Sequence, residues 1–216
     1  MSRVRPIAEM QGDPLPLRLS RVLRLCVKGL ATFMAYAAGW NYIACAAFIT
    51  ADIVGRTLFG FSSAATVEVT SYMLAAGLSW SLAHTLAMRA HIRVDVLINR
   101  MPLSVRAIFH VVSILMLAVF SGFVAWSGWS LVEESLLFQA HDNSALHIPM
   151  WIPQGIWFAG LLGFFAMALA LSLESILALA SGHLDEVEAL LSSRSVDDET
   201  EEALEAVGMT AREHVQ

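Results

Sequence analysis

Residues 107–132 read AIFHVVSILMLAVFSGFVAWSGWSLV, bounded by Arg106 and Glu133, with His110 as the only ionisable side chain inside. At ~1.5 Å per residue this block is about 39 Å long as a helix, more than the ~30 Å hydrocarbon core of a bilayer. Working outward, three more blocks have the same character. Gly29 to Ala51 lies between Lys28 and Asp52, and Val69 to Met88 lies between Glu68 and Arg89. Ile152 to Leu173 ends at Glu174. Each can satisfy its backbone hydrogen bonds internally as a helix, which lipid demands. The alternating strands of a membrane barrel are missing. The sequence therefore predicts an all-α integral membrane protein with four transmembrane helices.

Composition agrees. Apolar residues make up 57% and charged residues 15% of the 216 positions, with a mean hydropathy of +0.64. Soluble domains carry about 25% charged residues. The net charge of −6 arises largely in the last stretch of chain, and no basic patch interleaved with aromatics suggests nucleic acid. Cys26 and Cys45 would lie about 28 Å apart on one helix, so they cannot pair with each other.

The arginines set the orientation. Arg3, Arg5, Arg18, Arg21, Arg24 and Lys28 precede the first block, and Arg89, Arg93, Arg100 and Arg106 separate the second from the third. The first connection holds only Arg56, and the last holds neither Lys nor Arg. Positive charge stays on the cytoplasmic side, so both termini and the central loop are expected there. Three regions follow: a basic cytoplasmic segment over 1–28, a four-helix transmembrane domain over 29–178, and an acidic cytoplasmic tail over 179–216. The first block is too long, and too far behind its basic leader, for a cleaved signal peptide. Leu15 to Lys28 alternates leucine or valine with arginine and is expected to lie partly among the lipid headgroups. In the tail, the apolar stripe Leu184, Val187, Leu190, Leu191 is followed by dense acid from Asp197 to Glu205, which reads as a solvated, partly disordered end.

Motifs for chemistry are sparse. There is no Walker loop, no HExxH and no nucleophile with an evident paired base. Asp52 and Arg56, four apart at the outer end of the first span, share a helical face and can form an ion pair. Glu68 opens the second span, where a carboxylate favours the helix dipole; pairing with Arg56 or with a partner chain is the alternative. His91, Arg93 and Asp95 stand in the central loop, in an element expected to lie along the inner membrane face. His141, Asp142 and His147 in the last outer loop match no metal-ligand spacing. Trp126, Trp129, Trp151 and Trp157 suit the outer interface. Gly29, Gly39, Gly77, Gly122, Gly128, Gly160 and Gly163 offer places for close helix packing.

Together, Ala51-Asp52-Ile53-Val54-Gly55-Arg56-Thr57-Leu58-Phe59-Gly60, Glu68, Met88-Arg89-Ala90-His91-Ile92-Arg93-Val94-Asp95, Arg100-Met101-Pro102 and Ser144-Ala145-Leu146-His147-Ile148-Pro149-Met150-Trp151 form a recognisable series. In order and spacing it resembles the small membrane subunit of tripartite ATP-independent periplasmic transporters, the DctQ-like family. The resemblance covers the first span through the fourth. Arg89-Ala90 stands where the family commonly has a small pair, and Val67 and Val69 flank Glu68 in place of the usual Trp and second acid. The resemblance implies a non-enzymatic scaffold subunit without cofactor or metal in a bacterial inner membrane. Its implied partners are membrane lipid, a large permease subunit (DctM-like) carrying the substrate and ion sites, and a periplasmic binding protein delivering an organic acid. It makes Asp52, Arg56, Glu68, His91, Arg93 and Asp95 structural or subunit-interface candidates. Two other classes compete: a four-helix haem b subunit using His84 and His110, and a small homodimeric exporter, which would want an acid in mid-span.

Overall fold

The computed structural model describes residues 15–61, 63, 65–89, 101–143 and 146–191. Five helices account for most of them: α1 (Leu15–Phe59), α2 (Thr66–Ala87), α3 (Leu103–Leu137), α4 (Trp151–Ala180) and the short α5 (Leu184–Leu191). No strand occurs among the described residues; a single antiparallel bridge joins His141 to Pro149 in the loop before α4.

The helix boundaries follow local chemistry. Pro16 and Pro153 sit in the first turns of α1 and α4, and Pro102 immediately precedes α3, positions where a missing N–H costs no helical hydrogen bond. At the far end of α1, Gly60 takes φ 67° and the Phe61 amide reaches back to the Gly55 carbonyl at 3.3 Å. At the end of α4, Gly182 takes φ 76°. Its amide then bonds Leu179 O at 3.1 Å and the His183 amide bonds Ala178 O at 3.0 Å, a Schellman turn that leads directly into α5.

Three helices are long and apolar enough to cross a membrane: α1, α3 and α4. The fourth, α2, has 22 residues, about 33 Å of helix, but Thr66, Glu68, Thr70, Ser71, Ser79, Ser81, His84 and Thr85 dilute its apolar run below the level the others reach. Packing centres on α4, which touches α1, α2, α3 and α5, while α1 also packs along α2. Small residues permit the close approaches. A Cβ on Gly160 would stand 2.6 Å from the Ser79 carbonyl carbon, and one on Gly163 would stand 3.0 Å from Met34. Gly77 abuts Tyr42, Gly122 abuts Phe165, and Gly128 abuts Phe158 and Leu161. A Cβ on Gly29 or Gly39 would meet nothing within 4 Å among the described residues.

The described terminal segments are more closely packed than their sequence pattern suggests. Leu15 to Lys28 continues α1 without a break, and its arginines do not face outward: Arg21 and Arg24 are buried while Leu15, Leu19, Val22 and Leu23 are exposed. The stripe Leu184, Val187, Leu190, Leu191 is not solvated either. It forms α5, whose Val187, Leu190 and Leu191 are buried in the same core cluster as Leu17, Ala107, Val111, Met167 and Leu171. Four apolar side chains on one face of two turns find an apolar seat formed by α3 and α4, and burial outweighs the acidity of the other face. Asp197 to Glu205 lies outside the described residues.

Candidate functional site

Charged side chains gather at the two ends of the bundle. At the end where α1 leads into α2, Asp52 is buried in the last turns of α1. Its Oδ2 accepts from Arg56 Nη2 at 2.8 Å, and its Oδ1 accepts the Ser63 backbone N–H at 2.9 Å. Ser63 Oγ in turn accepts the Ala65 amide at 3.3 Å, just before α2 begins. The carboxylate thus ties the end of α1 to the start of α2. Arg56 leaves 63% of its side chain exposed, so the amide bond is the better shielded of the two Asp52 contacts.

Glu68 stands in the first turn of α2, as its position predicts, with Oε2 buried and no hydrogen-bond partner for it among the described residues. The ion pair that Arg56 makes is with Asp52, not Glu68. One turn further along α2, the Tyr72 hydroxyl donates to Asp142 in the loop between α3 and α4, so that loop is tied to α2. That loop is held by Asp142 N to Ile148 O at 3.0 Å and Met150 N to Ala140 O at 2.9 Å. His141 bonds the Gln139 carbonyl at 2.7 Å, and no group of three or more His, Cys, Asp or Glu is placed to hold a metal among the described residues. His91, Arg93 and Asp95 lie outside the described residues.

The opposite end of the bundle, at the start of α1, carries a larger network that sequence reading missed. Arg24 pairs with Glu174 of α4, Arg21 with Glu186 of α5, and Arg106 at the start of α3 with Glu188 of α5. Glu174 is 0% exposed. Three arginines that read as topology signals therefore bind α1, α3, α4 and α5 into one knot. One signal was available: Arg18, Arg21 and Arg24 recur every three residues and fall together on one helical face, away from Leu19 and Leu23.

The two histidines of the haem alternative, His84 and His110, stand on α2 and α3. His84 lies 3.4 Å from Thr32 Oγ1 of α1, His110 is buried on α3, and α2 and α3 both pack on α4 rather than on each other. The acids of the described spans, Asp52, Glu68, Glu133, Glu134 and Glu174, stand within the first or last two turns of their helices.

The model of the family described as "Tripartite ATP-independent periplasmic transporters, DctQ component" matches residues 45–180. The chain belongs to the DctQ family. It is accordingly the small membrane component of a transporter of that class. No curated relative and no solved structure matches the chain. The DctQ match runs from Cys45 in α1 to the end of α4, so it takes in Asp52, Arg56, Glu68, Arg106 and Glu174. Arg21, Arg24 and α5 lie outside it, which makes two-thirds of the inner knot's arginine side a feature of this chain beyond the matched stretch.

Proposed function

We propose that this chain is the static scaffold subunit of an ion-driven organic-acid importer in a bacterial inner membrane. It acts with a large permease subunit and a periplasmic binding protein. The DctQ match is the observation that carries this reading. Physical features of the chain support it. The spans hold packed glycines and apolar side chains, with charge confined to their ends. No interrupted mid-membrane helix offers a substrate cradle among the described residues.

The scaffold uses four spans, α2 being the fourth. Its ~33 Å length suffices, and it packs between α1 and α4, two helices that have the length and apolarity to cross. The arginine distribution puts both termini, the central loop with His91, Arg93 and Asp95, and the inner knot on the cytoplasmic side. Asp52, Arg56, Glu68 and Tyr72 then face the periplasm. There is no enzymatic step and no cofactor in this reading; the chain gives the large subunit a fixed body to move against.

Uptake in the bacterial host tests it. Deleting this chain should abolish binding-protein-dependent import of the organic acid, and supplying it from a plasmid should restore import. Import at the undiminished rate in the deletion strain would overturn the reading.

A further inference from the structure

α1 is the helix its own bundle covers least. Only 11% of its most apolar stretch is buried, against 33% for α3 and 44% for α4. What it leaves exposed is also chemically different. Trp40 stands twelve residues from Lys28 and twelve from Asp52 (40 − 28 and 52 − 40), at the middle of the first span. Tyr36 lies one turn away. The two are 72% and 71% exposed, and neither makes a hydrogen bond to any described residue.

The other helices present plain hydrocarbon at the same depth. Leu78 is the exposed side chain at the centre of α2, Val119 and Phe120 at the centre of α3, and Leu162 near the centre of α4. These suit lipid tails. A phenol O–H and an indole N–H suit them poorly, because each loses its hydrogen bond where no water is present. Tryptophan and tyrosine facing lipid collect at the membrane interfaces, as Trp126 and Trp129 do near the outer end of α3, and not at mid-depth.

The surface beside these two donors is shaped to receive something. Phe33, Tyr36, Trp40 and Ile43 recur at helical spacing and form one exposed ridge. Next to it a notch of about 130 Å³ opens between α1, α2 and α4, lined by Ala37, Asn41, Ala76, Gly77 and Trp80 among others. A cavity of about 150 Å³ accommodates benzene, so the notch is the size of one leucine or aromatic side chain. Gly39, beside Trp40, meets nothing within 4 Å and leaves the backbone open to close approach.

We infer that the Phe33–Tyr36–Trp40–Ile43 ridge of α1 and its adjoining notch seat a transmembrane helix of the large permease subunit. That helix presents a backbone-carbonyl or hydroxyl acceptor opposite Tyr36 and Trp40 and inserts one apolar side chain into the notch. The inference rests on the proposed scaffold function and adds to it the face on which the partner sits. Lipid would gain nothing from the two donors, and a partner helix with acceptors would satisfy both.

The test uses the full chain co-expressed with the large permease subunit. A benzophenone side chain is placed at position 36 or 40, and, as controls at the same depth, at 78, 119 or 162. Irradiation of intact membranes should join the large subunit to positions 36 and 40 and leave the three controls unjoined. Separately, the pair Tyr36→Phe and Trp40→Phe, which removes only the donors, should lower recovery of the large subunit on a tagged chain by roughly threefold per lost interhelical bond. Adducts at 36 and 40 with a second copy of this chain or with lipid alone would overturn the inference. So would adducts with the large subunit only at the control positions. In those cases the unmodified chain still recovers the large subunit, and the scaffold function stands. Failure of the unmodified chain to recover it would instead bring down the scaffold reading and this inference together.

Discussion

Replacing Glu174 by alanine removes the partner of Arg24 and leaves a guanidinium buried where α1 packs on α4. Arg24 is in contact with Glu174 through Nε, and its Nη2 has no hydrogen-bond partner among the described residues, while the neighbouring carboxylate of Glu186 is already engaged by Arg21. Breaking one side of a buried ion pair typically costs about 3–5 kcal/mol, because the remaining charge stays out of water without compensation. At ~1.4 kcal/mol per tenfold, that lowers the folding equilibrium by two to three and a half decades, on the order of the whole stability of some domains. Replacing both partners by apolar residues of similar length, Arg24→Met with Glu174→Met, removes the stranded charge and should recover most of the loss. Reversible unfolding in mixed micelles, followed by circular dichroism, measures both variants and both single changes. The expected result is a large loss for Glu174→Ala and a strongly non-additive double variant. An unchanged unfolding midpoint for Glu174→Ala would refute the reasoning. A double variant whose loss equals the sum of the singles would refute it as well.

Three further outcomes are expected. Gly160→Val pushes a branched side chain against the Ser79 backbone and should destabilise the α2–α4 contact by roughly 1–3 kcal/mol, whereas Gly39→Val, with nothing nearby, should leave the isolated chain's unfolding midpoint unchanged. Val187→Asp places a charge in the core under α5 and should expose the Leu184–Leu191 segment to limited proteolysis; continued protection at wild-type rates would show that the segment docks by other means. At the outer end, Asp52→Ala should lower the thermal midpoint more than Arg56→Ala does, since Asp52 also holds the Ser63 amide and Arg56 is largely exposed; equal losses would mean that the ion pair alone matters.

How much could be read in the sequence depended on whether the signal was local. The spans around α1, α3 and α4 were legible because each is an uninterrupted apolar run bounded by charge, and the Asp52–Arg56 pair was legible because i and i+4 adjoin on any helix. The polar dilution of α2 weakened the same signal, and its place in the bundle comes from packing against α1 and α4. The inner knot was hidden for another reason. Arg24 and Glu174 are 150 positions apart, and Arg21 and Glu186 are 165 apart, so no local pattern joins them. Counting arginines for topology used their charge and ignored their direction. α5 was obscured by its acids, which mask a compact apolar face that needs the α3–α4 surface to be recognised. Of the candidate residues, Asp52, Arg56 and Glu68 gather near the outer end.

The central claim is that this chain is built to hold a larger membrane partner. Purifying the tagged chain in mild detergent from its own bacterium, with mass spectrometry of whatever accompanies it, tests that most directly. The account predicts a stoichiometric large polytopic permease subunit that remains bound through size exclusion. Recovery of the chain alone as a monomer or homodimer, or with a soluble redox protein, would contradict it.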